Sequence, residues 1–205
     1  MSLAYYLQDK TVLTVSGSHS GIGKTLLAES ILSLVREFAA IKITMEDFFT
    51  AVVFDDASIL VPGKDTFRLK TSGASQVVWV RTPEQHLVDT MEQALSVLGS
   101  CRGLLIEGNS IVTYIEPDLS FFVYGGGIET IKPSRLYALR NAHVIINNIR
   151  DETTDYRESD KTLCEINARA TVLSVNLAET DTLQALLKDT LKQRLGVTLL
   201  RGSDT

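Results

Sequence analysis

The residues best suited to chemistry lie in one segment, residues 16–25 (SGSHSGIGKT), between a short β-branched run and a helical pattern. Small residues let the backbone fold around phosphate oxygens, with consecutive N–H groups pointing inward. The N-terminus of the following helix adds the positive end of its dipole. Lys24 would reach the β- and γ-phosphates, and the Thr25 hydroxyl would bind Mg²⁺. We predict a nucleoside triphosphate site formed by Ser18, His19, Ser20, Gly21, Ile22, Gly23, Lys24, Thr25 and Leu26.

This segment departs from the usual phosphate-loop pattern, G-x-x-x-x-G-K-[ST], at its first position. That position is Ser18, and the nearest glycine, Gly17, lies one residue earlier. Gly21 and Gly23 still supply backbone freedom. A glycine-rich turn without a ligand is the alternative, but the preceding strand and the following helix favour a phosphate loop. His19 could contact phosphate or a partner subunit, or be a solvated loop residue.

Glu107 is the candidate second acid of such a site. It ends the apolar run GLLIE and is followed by glycine, asparagine and serine. A carboxylate there could hold the metal or orient an attacking water, whereas the alternative is a solvated glutamate at a strand end. Ligands of parallel α/β sheets bind at the carboxyl ends of the strands. We therefore predict that Glu107 acts with Lys24 in catalysis and with Thr25 at the metal.

Two other charged positions leave alternatives open. Lys42 interrupts an apolar strand pattern, so it lies at an edge of the sheet or points towards an anion. Residues 63–68 (GKDTFR) follow a predicted turn. They could bind phosphate or Mg²⁺, with Asp65 as a metal ligand, or they could begin a solvated helix with Asp65 at its N-cap.

The nucleotide base would be contacted from the loops after the last two strands. Residues 147–151 (NNIRD) resemble the Asn-Lys-x-Asp pattern with which GTP-binding proteins read guanine. If Asn147 is the asparagine of that pattern, Arg150 takes the aspartate position and Asp151 comes one residue late. The base therefore stays open between guanine and adenine. Asn176 is the second candidate for a base contact.

Strands and helices alternate in the predicted order of elements. Apolar runs predict strands at 11–16, 39–44, 76–80, 103–106, 119–124, 144–148 and 170–175, and helical spacing predicts helices at 24–38, 83–98, 155–168 and 183–195. Residues 51–54 and 58–61 are predicted as a strand pair, with Pro62 and Gly63 as its turn. The alternation predicts a three-layer α/β/α fold with a mainly parallel sheet. Because no repeat or linker is evident, we expect one domain over residues 1–205.

The composition narrows the class of protein. The chain has 205 residues, 44% of them hydrophobic, and a net charge of −5. The negative charge argues against a nucleic-acid partner, and no apolar run approaches the roughly 20 residues that a membrane span needs. Cys101 and Cys164 are typical of ordinary thiols in a reducing compartment. We expect a cytoplasmic protein with no nucleic-acid or membrane partner.

Four blocks in order carry a resemblance to a known family: VSGSHSGIGKT, AIKIT, PGKDTFRLKTSGA and LLIEG. Over residues 11–125 the chain resembles the molybdopterin-guanine dinucleotide biosynthesis protein B family. That family belongs to a class of P-loop NTPases with a deviant phosphate loop, which includes dethiobiotin synthetase and the cobyrinic acid amide synthases. The chain differs from the family at residues 41–43, where IKI replaces I-K-H, and from the class at His19, where a signature lysine would fall.

The resemblance implies a Mg²⁺-dependent GTP-binding protein with slow hydrolysis that serves a molybdopterin nucleotidyltransferase. By position, Lys24 and Thr25 correspond to the phosphate and Mg²⁺ ligands and Glu107 to the Walker B acid. Members of the class often form homodimers. Two other functions stay open: an ATP-dependent ligase that activates a carboxylate or carbamate, and a non-catalytic, nucleotide-gated adaptor. The ligase is disfavoured because no proline follows Lys42.

Overall fold

The computed structural model describes residues 2–125, 131, 133–149 and 157–196. Within them the strands are β1 (Thr11–Gly17), β2 (Phe38–Met45), β3 (Ala51–Val53), β4 (Val77–Thr82), β5 (Gly103–Glu107), β6 (Leu119–Tyr124), β7 (Val144–Asn148) and β8 (Thr171–Val175). The helices are α1 (Leu3–Leu7), α2 (Lys24–Leu34), α3 (Asp56–Ile59), α4 (Asp65–Thr71), α5 (Leu87–Ser96), α6 (Pro133–Arg140), α7 (Arg157–Ile166) and α8 (Thr180–Leu195).

The strands form one eight-stranded sheet in the order β3-β4-β2-β5-β1-β6-β7-β8. Strand β3 runs antiparallel to β4, and the other neighbouring pairs are parallel. Apolar side chains of α2, α4 and α8 pack on one face of this sheet. Those of α1 and α5 pack on the other, as do those of α6 and α7 beside β6 and β7. The predicted three-layer α/β/α class with a mainly parallel sheet is confirmed.

The sheet order brings the carboxyl ends of three strands together. Strand β5 lies between β1 and β2, with Glu107 in register with Val15 on one side and Lys42 on the other. The loop after β1 begins next to this point and leads into α2. The predicted phosphate loop and the predicted acid therefore meet at one edge of the sheet.

The first predicted helix is too long at its C-terminus. Helix α2 ends at Leu34, and Glu37 has a positive φ of 55°, which turns the chain into β2. Phe38 is the first residue of that strand and is fully buried. Helices and strands both bury apolar side chains. Phe38 therefore fitted the apolar spacing of the helix although it belongs to the strand after the turn, and the spacing did not indicate where the helix ends.

The predicted strand pair at residues 51–61 is right in its first strand, since residues 51–53 form β3, and wrong in its second strand and its pairing. Strand β3 pairs with β4, and residues 56–59 form the short helix α3. The side chain of Asp55 caps α3 by accepting a hydrogen bond of 2.9 Å from the Ser58 amide. The turn at Pro62 and Gly63 follows α3 and leads into α4, so it lies between two helices and is not the turn of a strand pair.

The other helices differ less from expectation. Pro83 precedes a 3-10 turn, and the regular helix α5 starts at Leu87. Helices α1 and α6 were not predicted, and α7 covers the centre of the predicted range 155–168. Among the described helices, none is long and apolar enough to span a membrane.

Candidate functional site

Two glycines shape the loop between β1 and α2. A Cβ at Gly17 would lie 2.8 Å from the side chain of Ile22 and 3.1 Å from the Val123 carbonyl oxygen. Gly23 has a φ of 115°, and a Cβ there would lie 2.6 Å from Leu177. Close approach therefore requires glycine at position 17, one residue before the expected place. Ser18 takes that place with a buried side chain, whose hydroxyl contacts the Gly125 carbonyl oxygen at 3.4 Å.

The Lys24 side chain lies across this loop. Its ammonium donates to the carbonyl oxygen of His19 at 3.0 Å. Burial lowers the pKa of Lys24, and the nearby charge of Glu107 offsets part of that effect. The loop is also held from outside, because Arg135 of α6 donates to the Ser18 carbonyl oxygen at 2.7 Å. The ammonium of Lys24 is thus held at the predicted phosphate loop, where it is bound to a neutral carbonyl oxygen.

The acid at the end of β5 is the centre of a polar cluster. Glu107 is only 1% exposed, so it is not a solvated strand-end residue. Both of its carboxylate oxygens lie 3.1 Å from the Thr25 hydroxyl, which donates to them. The Lys42 ammonium lies 2.5 Å from one of these oxygens and 2.8 Å from a carboxylate oxygen of Asp65. Lys42 therefore lies inside the sheet, and the anions it faces are Glu107 and Asp65.

The charges of this cluster stabilise one another. Burial acts to lower the pKa of Lys42, but Glu107 and Asp65 outweigh it and raise that pKa. Burial acts to raise the pKa of Asp65, but the hydrogen bond and charge of Lys42, with help from Thr25 and Arg68, lower it. Both groups are accordingly charged near neutral pH.

Helix α4 brings Asp65 to the cluster. Asp65 is the first residue of α4, and Lys64 occupies the N-cap position, so the predicted capping role of Asp65 is wrong. Arg68, one turn later, donates through two nitrogens to the two carboxylate oxygens of Glu29 at 2.8 and 2.5 Å. This bidentate pair ties α4 to α2, while Lys42 ties it to β2.

At the far end of the cavity, Asn148 joins three loops. Its amide nitrogen donates to the Ile22 carbonyl oxygen at 2.8 Å, and its amide oxygen accepts from the Leu177 amide at 3.2 Å. Asn147, the predicted base contact, faces the other side of β7 and donates to Asp160 of α7 at 2.6 Å. Successive strand residues point to opposite faces of the sheet. The residue that faces the cavity is therefore Asn148, one position after the predicted Asn147.

With Asn148 as the anchoring asparagine, the guanine pattern changes register. The sequence reads Asn148-Ile-Arg-Asp151, in which the aspartate comes three residues after the asparagine, as in Asn-Lys-x-Asp. Arg150 and Asp151 lie outside the described residues, so this register rests on Asn148 and on the sequence. Asn176 lies in the loop after β8, where its side-chain oxygen accepts from the Ala178 amide at 3.0 Å.

The cavity between these groups has a volume of about 600 Å³. The predicted residues Asp65, Glu107 and Asn176 line it, whereas Ser18, His19 and Asn147 lie outside its lining. Asn148, Leu177 and Ala178 line it without having been predicted as site residues, whereas Lys42 and Arg68 were considered as possible anion-binding residues without being assigned. The complete lining consists of Ser20, Gly21, Ile22, Gly23, Lys24, Thr25, Leu26, Lys42, Asp65, Arg68, Glu107, Asn148, Asn176, Leu177 and Ala178.

The polar cluster suits Mg²⁺ chemically. Thr25, Asp65 and Glu107 offer one hydroxyl and two carboxylates, and Mg²⁺ binds through a few such oxygens together with phosphates and water. Among the residues that the model describes, no group of three or more histidine, cysteine or acidic side chains could hold a metal. The donor set therefore fits a metal that arrives with a phosphate ligand better than a metal held by protein alone.

The sequence matches no protein-family model and no curated protein. The fold is similar to that of HypB from Helicobacter pylori, solved in complex with nickel, with a TM-score of 0.58 and 14% identity over 93% of this chain and 89% of that one. It is also similar to the hydrogenase maturation factor HypB from Archaeoglobus fulgidus, with a TM-score of 0.51 and 17% identity over 89% and 94%. These likenesses concern the fold alone. They do not confirm the resemblance to the molybdopterin-guanine dinucleotide biosynthesis protein B family.

Proposed function

We propose that this chain binds Mg²⁺ and GTP in the 600 Å³ cavity and hydrolyses the nucleotide slowly. The observation that carries the proposal is the convergence of Lys24, Thr25 and Glu107 where β1 and β5 end. A triphosphate requires a cation, backbone donors and a metal held by oxygen ligands. Lys24, the amides of the loop before α2 and the oxygens of Thr25 and Glu107, which could hold the metal, all belong to the lining of the cavity.

At the phosphate end, the loop amides and Lys24 bind the ligand. Lys24 gives up its hydrogen bond to the His19 carbonyl oxygen and donates to phosphate oxygens, exchanging a neutral acceptor for a charged one. Such charge-assisted hydrogen bonds are about twice as strong as neutral ones. The Lys24 ammonium therefore has a hydrogen-bond acceptor both before and after the nucleotide binds.

Mg²⁺, when bound, neutralises charge on the β- and γ-phosphates. Thr25 and Glu107 would hold it, with Asp65, which shares the Lys42 ammonium with Glu107, as the third oxygen ligand. Glu107 also orients a water for attack, either directly or through a neighbouring water. Because Glu107 already accepts hydrogen bonds from Thr25 and Lys42, its carboxylate is held in one orientation before the ligand arrives.

At the base end, the Asn148 register favours guanine. The side chain of Asn148 fastens the loop after β7 to the phosphate loop. We assign Asp151, three residues later, to the N1–H and N2–H₂ donors of guanine. Asn176 and Ala178, which also line the cavity, would lie beside the base. Adenine lacks both of these donors on the corresponding edge, so ATP is expected to bind more weakly.

We further propose that the protein is a cytoplasmic accessory protein in molybdenum cofactor assembly and acts with a molybdopterin nucleotidyltransferase. The GKDTFR block supports this proposal, because Asp65 and Arg68 both line the nucleotide cavity. In this proposal α4 carries both Asp65 and Arg68, so a partner that contacts α4 would sense whether the nucleotide is bound. An ATP-dependent ligase or an adaptor without turnover would be revealed by the same nucleotide measurements.

The hydrolysis step is tested with Glu107→Gln. The amide retains the size of the side chain but loses the negative charge that holds Mg²⁺ and orients water. We expect GTP binding to persist and the single-turnover rate of GTP hydrolysis to fall by about tenfold or more. Lys42 keeps Asp65 as its partner in this variant, so the fold should be retained.

The matched control is Glu116→Gln, which makes the same change at an exposed glutamate. It should hydrolyse GTP at the wild-type rate. Equal rates in the wild type and Glu107→Gln would show that Glu107 is not the acid of the site. A wild-type rate no higher than that of buffer would select the adaptor.

A further inference from the structure

Lys42 binds the same oxygens that the proposed function assigns to Mg²⁺. Its ammonium lies 2.5 Å from Glu107 Oε1 and 2.8 Å from Asp65 Oδ2. Glu107 is the acceptor of the Thr25 hydroxyl as well. An ammonium and a divalent metal cannot both occupy positions at such distances from one carboxylate without strong repulsion.

The fold fixes the positions of the two acids that Lys42 contacts. Lys42 and Glu107 are register partners in neighbouring parallel strands, so their separation is set by the sheet. Asp65 begins α4, which the Arg68–Glu29 pair fastens to α2. The ammonium is therefore not a mobile surface cation that happens to lie near two acids: its side chain is only 15% exposed.

The charges in the cavity are balanced without any ligand. Lys24 and Lys42 offset Asp65 and Glu107, and Arg68 is paired with Glu29. A divalent cation entering alone would leave the cavity with excess positive charge in a partly buried setting, which is costly. A triphosphate brings negative charge that compensates the positive charges of the metal, Lys24 and Lys42 together.

We propose that Lys42 is a built-in counter-cation that keeps a divalent metal away from Thr25, Asp65 and Glu107 until a nucleoside triphosphate binds. This inference rests on the proposed function, because the metal ligands are those of the nucleotide site. When the metal arrives with the nucleotide, the ammonium leaves Glu107 and pairs with phosphate oxygens. The device makes metal binding conditional on nucleotide binding and protects the empty site from other divalent ions.

The test is Mn²⁺ binding to nucleotide-free protein, followed by the electron paramagnetic resonance signal of free Mn²⁺. Lys42→Met keeps an unbranched apolar stem and removes the charge. We expect the wild type to bind Mn²⁺ only weakly without nucleotide, and Lys42→Met to bind it at least about tenfold more tightly. Lys188→Met is the control, since it removes an exposed charge on α8 that lies outside the lining of the cavity, and it should behave as the wild type does.

Thermal unfolding gives a second readout. A ligand that binds the native state raises the melting temperature, so Mn²⁺ alone should raise that of Lys42→Met but not that of the wild type. Should Lys42→Met not fold in the absence of metal, recovery of the folded state on adding Mn²⁺ supports the proposal, and Lys42→Gln provides the same comparison with a polar side chain.

One result would overturn the inference: folded Lys42→Met and Lys42→Gln proteins that bind Mn²⁺ without nucleotide no more tightly than the wild type does. This result is distinct from failure of the proposed function. If the proposed function fails, wild-type protein binds neither GTP nor ATP in the presence of Mn²⁺, whatever the residue at position 42.

Discussion

Replacing Lys24 with alanine should weaken GTP binding by about 100-fold or more in the presence of Mg²⁺. The Lys24 ammonium lies across the phosphate loop, and in the proposed complex it exchanges the His19 carbonyl oxygen for phosphate oxygens. The loop itself should keep its shape. Its path depends on the close approaches at Gly17 and Gly23 and on the hydrogen bond from Asn148 to Ile22, none of which involves the lysine ammonium. Isothermal titration calorimetry measures the loss.

Lys188→Ala is the matched control, because it removes the same group from an exposed position on α8. It should bind GTP as the wild type does. Circular dichroism and thermal unfolding should show that Lys24→Ala is folded. A folded Lys24→Ala protein with wild-type affinity for GTP would contradict the assignment of this loop to phosphate.

The second large effect is expected at Asp151. In the proposed site a carboxylate there would accept from guanine N1–H and N2–H₂, whereas an asparagine amide could donate to the carbonyl that xanthine carries at the same position. Asp151→Asn should therefore reverse the base preference, with GTP binding weakened and XTP binding strengthened. We expect the ratio of the two affinities to change by about 1,000-fold, since sites built around paired hydrogen bonds discriminate at this level or above.

Competition of unlabelled GTP and XTP against a fluorescent nucleotide analogue measures that ratio. Asp181→Asn makes the same substitution at an exposed aspartate in the first turn of α8 and should leave the ratio unchanged. If Asp151→Asn retains the wild-type preference, the guanine register that begins at Asn148 is wrong. The phosphate end of the site would be unaffected by that result.

Some of this site could be predicted from sequence because its signals are local. The loop before α2, the β-branched run before it and the acid after GLLI are contiguous patterns, and the fold class follows from the alternation of strands and helices. Glu107 and Thr25 do meet, at 3.1 Å. What the pattern could not indicate was the role of Lys42, since that depends on β2 lying beside β5, a neighbour distant in sequence.

The remaining errors have equally specific causes. Asn147 and Asn148 are adjacent identical residues, and only the face of β7 that each occupies separates them. A buried phenylalanine such as Phe38 suits both a helix and a strand, so the apolar spacing in the sequence did not indicate the turn at Glu37. In the phosphate-loop pattern the first glycine is expected at position 18, but the close contacts that exclude a Cβ occur at Gly17.

The most direct test of the central claim is a calorimetric titration of the wild-type protein with GTP and with ATP, each in the presence of Mg²⁺. The account predicts that GTP binds and that ATP binds at least about tenfold more weakly, the difference being the paired hydrogen bonds to guanine. Preference for ATP would contradict the guanine assignment and favour the ligase. Binding of neither nucleotide would contradict the proposal that this cavity is a nucleotide site.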